Sequence, residues 1–386
     1  MKALKVLTVF GTRPEAIKMA PVVRALKQCD QIKTYVCVTA QHREMLDQVL
    51  DLFGIVPDYD LNVMRSGQTP TQLIARILTE LDPLLRDLEP DWVLVQGDTT
   101  TVMATTLAAR HLKIKVGHVE AGLRTGDFLN PFPEEMNRIV TDAISNLFFA
   151  PTMKARDNLL REGVAEETII VTGNTVIDAL LTIVDEPWLP ILEDPLHRWS
   201  NGQLNESKLI LVTAHRRENF GRPLQDICAA LKKIAQLGQD ELEIIFPVHL
   251  NPNVSNLVYE LLGEIPNITL IPPLDYLSLV HMMKRSTLIL TDSGGIQEEA
   301  PSLGVPVLVL RQVTERPEGV EAGAVKIVGT NPDIIVRETF NLLRDAKAYK
   351  AMAQATNPYG DGQAAHRIVN SLLESIGQVH AKVDIN

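Results

Sequence analysis

This chain has few cysteines and no long apolar run. Cys29, Cys37 and Cys228 are widely separated and form no Cys-x-x-Cys pair. This spacing excludes a disulfide framework and a cysteine-ligated zinc site, and it is typical of buried thiols in a reducing compartment. No segment approaches the ~20 apolar residues of a membrane-spanning helix, and the short N-terminal apolar run ends at Gly-Thr-Arg-Pro-Glu without a small-residue cleavage site. We therefore expect a cytoplasmic protein without a membrane partner, in which the first apolar run is a core strand and not a signal peptide.

Basic residues are also in short supply. The chain has 37 Lys and Arg against 48 Asp and Glu, which gives a formal net charge of −11. Non-specific nucleic-acid binding requires a basic surface, so no nucleic-acid partner is expected. An anionic ligand would have to be held by a few local cations. The chain also lacks the His-Glu-x-x-His and Walker A motifs, and nothing in it calls for a metal or a cofactor.

Alternating strand and helix patterns run through the whole chain. Hydrophobic residues make up 45% of its 386 residues, which is typical of a globular protein and sufficient for two domains. Predicted strands occupy residues 4–10, 33–39, 92–96, 115–119, 147–150 and 168–172 in the first half, and 209–213, 243–248, 269–271, 287–290, 305–310 and 325–328 in the second. Continuous apolar strands that alternate with helices indicate parallel sheets covered on both faces. The pattern therefore predicts an α/β protein of two doubly wound domains, each with about six strands.

Two further segments bear on the domain organisation. Residues 175–205 lack strand patterns and are rich in proline and acidic residues, so the domain boundary is expected there. Residues 363–376 have apolar residues at helical spacing and predict a C-terminal helix.

The most specific local signal is the segment Thr-Asp-Ser-Gly-Gly-Ile-Gln-Glu-Glu at residues 291–299, which follows a predicted strand and begins a predicted helix. The first N–H groups of a helix have no internal partner and carry the positive end of the helix dipole, so this turn suits phosphate oxygens. Ser293 adds a hydroxyl at the same place. Glu299 follows about one helical turn later, where a carboxylate can accept hydrogen bonds from two ribose hydroxyls. Phosphate and ribose together indicate a nucleotide ligand.

Charged side chains follow several other predicted strands. Ligands of parallel α/β sheets bind beyond the carboxyl ends of the strands, so these positions are candidates for a site. In the first half they are Arg13, Lys18, Asp98, Glu120, Glu134 and Glu135, and in the second half they are His215, Arg216, His249 and Arg316. Asp98 also suits a helix N-cap, and one of the adjacent Glu134 and Glu135 suits the first turn of a helix. Carboxylates in the first half, with cations and a phosphate-binding turn in the second, indicate an enzyme that acts on a sugar nucleotide.

Long blocks of the chain resemble one family, the bacterial non-hydrolysing UDP-N-acetylglucosamine 2-epimerases. The matching blocks are FGTRPEAIKMAP at 10–21, QGDTTT at 96–101, GHVEAGLRTGD at 117–127, PEEMNR at 133–138, TAHRREN at 213–219, TDSGGIQEEAPSLG at 291–304 and TERPEG at 314–319. The resemblance implies two Rossmann-like domains facing a cleft, as in the glycosyltransferase-B fold, with the last helix returning to the first domain. It thus assigns residues 1–174 and 365–386 to an N-terminal domain and residues 175–364 to a C-terminal, UDP-binding domain. It also implies a homodimer, allosteric activation and a role in cell-surface polysaccharide biosynthesis.

The resemblance also implies roles for single residues. Those implied in catalysis are Asp98, Glu120, Glu134 and His215. Those implied in binding the substrate, UDP-N-acetylglucosamine, are Arg13, Lys18, Ser293, Gly294, Gly295, Glu299 and Arg316. A second molecule of UDP-N-acetylglucosamine is expected to bind as an activator at Gln41, Gln68, Glu135, Arg216 and His249. Leu274 and Leu279 stand where some relatives place a polar residue and an aromatic, so backbone contacts are expected to recognise uracil here.

The implied reaction is reversible epimerisation at C2 of UDP-N-acetylglucosamine to UDP-N-acetylmannosamine without a redox cofactor. No neighbouring carbonyl acidifies the C2 proton, so UDP leaves first and an oxocarbenium-like centre forms at C1. Loss of the C2 proton gives 2-acetamidoglucal, and re-addition of a proton and UDP gives the epimer. Stabilising the leaving diphosphate is the largest demand. Each of the three carboxylates is a candidate for the acid or the base, and His215 for an acid or a diphosphate ligand.

Three alternatives fit parts of the pattern. A hydrolysing 2-epimerase would release free N-acetylmannosamine, but retention of the implied activator residues favours the non-hydrolysing reaction. A glycosyltransferase of the same architecture would need an acceptor site or a membrane-docking patch, which the sequence does not reveal. A catalytically silent sensor would need the phosphate site alone, whereas this chain also carries the implied catalytic residues.

Overall fold

A computed structural model of the chain describes residues 3–40, 43–65, 67–129, 131–190, 196–200 and 207–383. The chain divides into two compact units: unit 1 comprises Met1–Ala179 and Tyr359–Asn386, and unit 2 comprises Leu180–Pro358. Within the described ranges, no helix has both the length and the apolar composition needed to cross a membrane.

Unit 1 is built on a seven-stranded parallel sheet. Its strands are β1 (Leu4–Phe10), β2 (Ile32–Val38), β3 (Tyr59–Asp60), β4 (Trp92–Gln96), β5 (Lys115–Val119), β6 (Leu147–Ala150) and β7 (Ile169–Val171). They lie in the order β3-β2-β1-β4-β5-β6-β7. The strand order reverses between β1 and β4, and such a reversal opens a crevice at the carboxyl ends of the two strands.

Unit 2 is built on a six-stranded parallel sheet. Its strands are β8 (Lys208–Thr213), β9 (Leu242–Pro247), β10 (Ile268–Ile271), β11 (Leu288–Thr291), β12 (Val307–Val309) and β13 (Val325–Ile327). They lie in the order β10-β9-β8-β11-β12-β13, so the reversal falls between β8 and β11. This is the strand order of a dinucleotide-binding Rossmann sheet.

Helices connect successive strands in both units. In chain order they are α1 (Arg13–Lys27), α2 (Arg43–Phe53), α3 (Pro70–Leu88), α4 (Thr100–His111), α5 (Glu134–Ile144), α6 (Met153–Arg161), α7 (Thr175–Ile183), α8 (His197–Ser200), α9 (Arg222–Gly238), α10 (Pro252–Leu262), α11 (Tyr276–Arg285), α12 (Gly294–Glu299), α13 (Pro317–Glu321), α14 (Pro332–Arg344), α15 (Ala346–Ala353) and α16 (Ala364–Val383). The boundary between the units falls within α7. The predicted C-terminal helix is confirmed as α16, which packs against α1 in unit 1.

Alternate residues of neighbouring strands form the cores, because successive side chains of a strand point to opposite faces. On one face of the first sheet the buried residues include Leu7, Val9, Val93 and Val95. On one face of the second sheet they include Ile210, Val212, Ile244 and Phe246. These rigid sheets fix the positions of the loops at their carboxyl ends.

The predicted α/β class with two parallel, doubly wound sheets is confirmed. The sequence pattern does not predict β3, because this strand has only two residues and neither is buried. The predicted domain boundaries, between residues 174 and 175 and between residues 364 and 365, fall close to the junctions of the two units.

Candidate functional site

The carboxyl ends of β1, β4 and β5 are neighbours in unit 1, since β4 pairs with both other strands. Arg13 stands three residues after β1, Asp98 two residues after β4 and Glu120 directly after β5. The structure thus brings these three predicted site residues to one edge of the sheet, at the reversal of strand order. Arg13 is half-buried, and its guanidinium has no hydrogen bond or ion pair with the described residues.

Glu120 is a buried carboxylate on a strained backbone. Its φ is 69°, a left-handed value that costs a non-glycine residue roughly 1–3 kcal/mol. Lys18 Nζ forms an ion pair with Oε2 of Glu120, and Asn174 Nδ2 donates to the same oxygen at 3.1 Å. Lys18, predicted to contact UDP, is therefore also the partner of Glu120. Asn174 was not predicted as a site residue, although it stands three residues after β7, where the strand-end rule applies.

Asp98 is held by α5 at two points. Its carboxylate accepts a hydrogen bond from Arg138 Nη2, and its backbone carbonyl accepts one from Asn137 Nδ2 at 2.8 Å. The N-cap of α4 is Thr99, whose hydroxyl accepts a hydrogen bond from Val102 N. The alternative that Asp98 caps this helix is therefore wrong, and its partly exposed carboxylate is available for another role.

Glu134 and Glu135 begin α5 but have different surroundings. Glu135 is 1% exposed, and its carboxylate accepts hydrogen bonds at 3.0 Å from the backbone of Thr125 and Gly126 and from Arg138 Nη1. It therefore fixes the loop that follows β5. Oε2 of Glu134 is buried and has no hydrogen-bond partner among the described residues. Such buried polar atoms are rare in folded proteins, and a ligand is one group that satisfies them.

Glu15 joins the turns after β1 and β4, and the sequence analysis missed it. This buried carboxylate accepts hydrogen bonds from Gly11 N at 3.0 Å, Thr12 N at 2.7 Å and Thr99 Oγ1 at 2.6 Å. Burial raises the pKa of Glu15 above its ordinary value of 4.5, although the hydrogen bonds oppose that rise. The Thr-x-x-Glu capping box at residues 12–15 is the signal that predicts this contact.

Two activator candidates of unit 1, Gln68 and Glu135, line different cavities. Gln41 lies outside the described residues. Gln68 lines an open cavity of about 740 Å³ together with Arg65 and Arg76. Glu135 lines a different cavity, of about 250 Å³.

In unit 2 the carboxyl ends of four adjacent strands, β9, β8, β11 and β12, also carry predicted site residues. His249, His215 and Ser293 stand two residues after β9, β8 and β11, and Arg316 stands in the loop after β12. Ser293 and Gly294 lie at the start of α12, next to the reversal of strand order between β8 and β11.

Two guanidinium groups converge on Gly294. A Cβ at this glycine would lie 3.6 Å from Nη2 of Arg216 and 3.6 Å from Cζ of Arg316. Arg316 forms an ion pair with the buried carboxylate of Glu298, whereas Nε of Arg216 is buried without a hydrogen-bond partner in the part of the chain that the structure describes. Two cations so close together are suited to an anion with several oxygens, such as a diphosphate. The structure therefore places Arg216, predicted as an activator contact, beside Arg316.

Asp292 fixes the loop that carries His215 and Arg216. It is completely buried, and its Oδ2 accepts hydrogen bonds at 2.9 Å from the backbone N–H groups of both residues. Oδ1 of Asp292 lies 3.4 Å from Nδ1 of His215. The His215 ring stacks on His249 with a centroid separation of 5.7 Å. The sequence predicts no role for Asp292, and its position directly after a buried strand is the signal that marks it.

Glu299 has a buried partner of its own. Its Oε1 accepts a hydrogen bond at 2.7 Å from the hydroxyl of Tyr276. Burial, the nearby Glu299 charge and this hydrogen bond raise the pKa of Tyr276 well above 10.0, so the hydroxyl stays a donor. Oε2 of Glu299 faces the α12 turn, 3.5 Å from where a Cβ of Gly295 would lie. Leu274 and Leu279, the positions expected beside uracil, are both half-buried.

Among the described residues, no group of three or more His, Cys, Asp and Glu side chains is arranged to hold a metal ion. The arrangement in unit 2 offers cations, backbone amides and a hydroxyl to an anion, and that in unit 1 offers carboxylates to a proton-transfer reaction. The groups of unit 2 by themselves suit a diphosphate, and those of unit 1 by themselves suit proton exchange.

The comparison with known proteins agrees with this chemistry. The family model described as UDP-N-acetylglucosamine 2-epimerase matches residues 24–373. The chain is 56% identical to the UDP-N-acetylglucosamine 2-epimerase of Salmonella typhimurium over 373 residues, which cover 96% of this chain and 98% of that protein. It is equally 56% identical to the Escherichia coli K12 enzyme of the same name, with the same coverage.

A solved structure is similar as well. The crystal structure of UDP-GlcNAc 2-epimerase from Neisseria meningitidis bound to UDP-GlcNAc has a TM-score of 0.87 and 48% sequence identity, over 96% of this chain and 100% of that chain. At this coverage the similarity extends over both units. The chain therefore belongs to the UDP-N-acetylglucosamine 2-epimerase family.

Proposed function

We propose that this protein is an isomerase that reversibly converts UDP-N-acetylglucosamine to UDP-N-acetylmannosamine, without releasing free sugar. Family membership over residues 24–373 supports the reaction, and the Neisseria relative was solved with UDP-GlcNAc bound. The structural observation that carries the proposal is the convergence of Arg216 and Arg316 on Gly294. Arg316 already has Glu298 as a partner, whereas Nε of Arg216 is buried without a hydrogen-bond partner among the described residues, so a bound anion would complete the surroundings of Arg216.

Unit 2 binds the diphosphate of the substrate. Arg216 and Arg316 provide two guanidinium groups beside Gly294, and Ser293 provides a hydroxyl at the start of α12. These donors gain most when negative charge accumulates on the diphosphate as the C1–O bond breaks, so they lower the barrier to UDP departure. His215, held by Asp292, is a further ligand or proton donor for the departing oxygen.

The carboxylates of unit 1 exchange the proton on C2. In the first half-reaction, the C1–O electron pair leaves with UDP, a carboxylate takes the C2 proton, and 2-acetamidoglucal forms. In the second, a proton is added to the opposite face of C2 and a UDP oxygen re-forms the bond to C1. Glu120 and Asp98 are ion-paired with Lys18 and Arg138, and an ion-paired carboxylate is in the state that a base requires. Glu134, whose buried Oε2 has no partner among the described residues, is the candidate acid.

The oligomeric state, the activation and the cellular role of the protein are part of the same proposal. The resemblance supports a homodimer, activation by a second UDP-N-acetylglucosamine and a contribution to cell-surface polysaccharide biosynthesis. All three cysteines are free thiols, which agrees with the reducing conditions of the cytoplasm.

Proton exchange at C2 provides the test. The protein is incubated with UDP-N-acetylglucosamine in heavy water and the mixture is followed by NMR. The proposal predicts UDP-N-acetylmannosamine with deuterium at C2, and deuterium also in the recovered substrate, because the reaction is reversible. Release of free N-acetylmannosamine would show that the protein is a hydrolysing 2-epimerase instead. An absence of turnover would refute catalysis.

A further inference from the structure

His118 is a completely buried histidine in β5 with both ring nitrogens engaged. Its Nδ1 lies 2.6 Å from Oδ1 of Asp142, and its Nε2 lies 2.8 Å from the carbonyl oxygen of Gly97. A carbonyl oxygen only accepts hydrogen bonds, so Nε2 must carry a proton. The charge of the ring therefore depends on which atom holds the proton between Nδ1 and Asp142.

The surroundings of Asp142 keep that carboxylate ionised. Its Oδ2 accepts hydrogen bonds from Arg124 Nη2 at 2.7 Å and from Gly122 N at 3.2 Å. Burial by itself raises the pKa of Asp142, but His118 and Arg124 outweigh burial and hold that pKa below its ordinary value of 3.8. An ionised carboxylate can only accept, so Nδ1 is a donor too. A neutral imidazole has one N–H group, whereas this ring needs two.

The neighbouring charges balance such an imidazolium. Arg124 binds Glu162 through two hydrogen bonds of 2.7 Å, in addition to its contact with Asp142. His118, Asp142, Arg124 and Glu162 thus alternate in sign along one chain of contacts, with two cations and two anions. Buried charges are tolerated when they are paired and hydrogen-bonded in this way.

The His118 contact fixes the turn that carries Asp98. Gly97, whose carbonyl accepts from His118, has a left-handed φ of 82° and immediately precedes Asp98. Asn137 and Arg138 bind the backbone and the carboxylate of Asp98. These two residues and Asp142, the anchor of His118, all belong to α5. The helix therefore holds the Asp98 turn at three points. Two of them are on Asp98, and the third is the carbonyl of Gly97, which His118 connects to Asp142.

The same network reaches the turn after Glu120. Gly122 N donates to Asp142, and Gly122 stands two residues beyond Glu120 with a φ of 83°. One carboxylate thereby connects the turns that carry two of the proposed catalytic groups.

We propose that His118 is a positioning residue that donates hydrogen bonds from both ring nitrogens, to Asp142 and to Gly97, and thereby locks the Gly97 turn to α5, so that Asp98 stands where proton transfer requires it. This inference rests on the proposed function, since it takes Asp98 as a catalytic carboxylate. His118 acts through the turn and contacts no reacting atom.

The charge state is tested first, on the unliganded protein labelled with ¹⁵N-histidine. Two ring N–H signals are expected for His118 at about pH 8, because both protons are held by buried acceptors and exchange slowly with water. The signals are assigned by their loss in a His118→Asn variant. A single ring N–H signal at that pH would overturn the imidazolium. This measurement needs no turnover, so it stands even if the epimerase proposal fails.

The positioning role is tested by a matched pair of variants. The amide nitrogen of asparagine reaches about as far as Nδ1 and keeps the contact with Asp142, whereas that of glutamine reaches about as far as Nε2 and keeps the contact with Gly97. We expect kcat to fall by about 10- to 100-fold in His118→Asn and by less than about threefold in His118→Gln, with KM unchanged in both, since small displacements of catalytic groups have effects of this size. His111→Gln, in an exposed histidine, is the control.

The contrast between the two variants separates positioning from mere stability. Thermal unfolding of both variants is measured beside the kinetics. If kcat falls equally in both, or follows the loss of Tm, the positioning role is wrong. A larger loss in His118→Asn at similar Tm supports it.

Discussion

Replacing Arg216 by methionine should weaken UDP binding without destabilising the protein. The guanidinium of Arg216 makes no hydrogen bond or ion pair with the described residues, and its Nε is buried without a partner there. Its loop stays anchored in the variant, because Asp292 binds the backbone N–H of residue 216 and not the side chain. Removal of the charge also relieves repulsion from Arg316, which lies against the same glycine. Unfolding free energy should therefore change by no more than about 0.5 kcal/mol.

The effect on binding follows from the lost contact. A hydrogen bond between a guanidinium and a phosphate oxygen contributes about 1.5–3 kcal/mol. At about 1.4 kcal/mol per factor of ten, the Kd for UDP should rise about 10- to 150-fold. Part of this contribution is electrostatic, so the difference between the wild type and the variant should shrink as ionic strength rises.

Isothermal titration with UDP measures the change, and thermal unfolding of the unliganded protein measures stability. Arg217→Met is the matched control, since Arg217 is the exposed neighbour in the same loop. The reasoning is refuted if Arg216→Met lowers the unliganded Tm but leaves the Kd unchanged. An unchanged Kd with a loss of activation by added UDP-N-acetylglucosamine would instead restore the activator role that the resemblance implies.

Three further changes test other parts of the site. Glu120→Gln should lower kcat by about 100-fold or more yet retain UDP binding. Glu264→Gln, at an exposed site, is the control. If Glu120→Gln turns over as fast as the wild type, Glu120 has no part in the mechanism. Glu15→Gln preserves the shape of the capping box but removes the ionisable carboxyl. Because burial raises the pKa of Glu15, the stability of the wild type relative to this variant should be greatest below pH 4.5 and should fall as pH rises through the folded-state pKa. Denaturant unfolding from pH 4 to 8 should show this trend, and a constant difference would contradict it. Gly122→Ala should lower stability by at least about 1–2 kcal/mol, since the added Cβ would lie 2.3 Å from a backbone oxygen at a left-handed φ. Gly294→Ala should instead keep the Tm and weaken UDP binding. Equal Tm values in the two variants would disprove this difference.

Much of the fold could be read from local patterns. Apolar strands alternating with helices predicted two parallel sheets, because such strands must be covered on both faces. The strand that escaped prediction, β3, has two unburied residues and so carries no apolar signal. The C-terminal helix was predicted from its apolar spacing, and its anchor shows why it belongs to unit 1: Asp178 accepts hydrogen bonds from the backbone N–H groups of Ala364 and Ala365.

The candidate site was predictable in part for a topological reason. Residues that directly follow parallel strands share one edge of a sheet, so Asp98 and Glu120 were identified without coordinates. Glu15 and Asn174 escaped prediction, although a capping box marks Glu15 and a position just after β7 marks Asn174.

Composition and the order of strands and helices were enough to establish two acidic α/β units with chemistry at their strand ends, since these properties depend only on residues close together along the chain. The partners of each charged group needed the fold. Lys18 and Glu120 are 102 residues apart and Asp98 and Arg138 are 40 apart, yet each pair is in contact. The contacts of His118 with Asp142 and Gly97, and the approach of Arg216 and Arg316 to Gly294, also have no signature in the sequence, because they depend on which atoms the fold brings together.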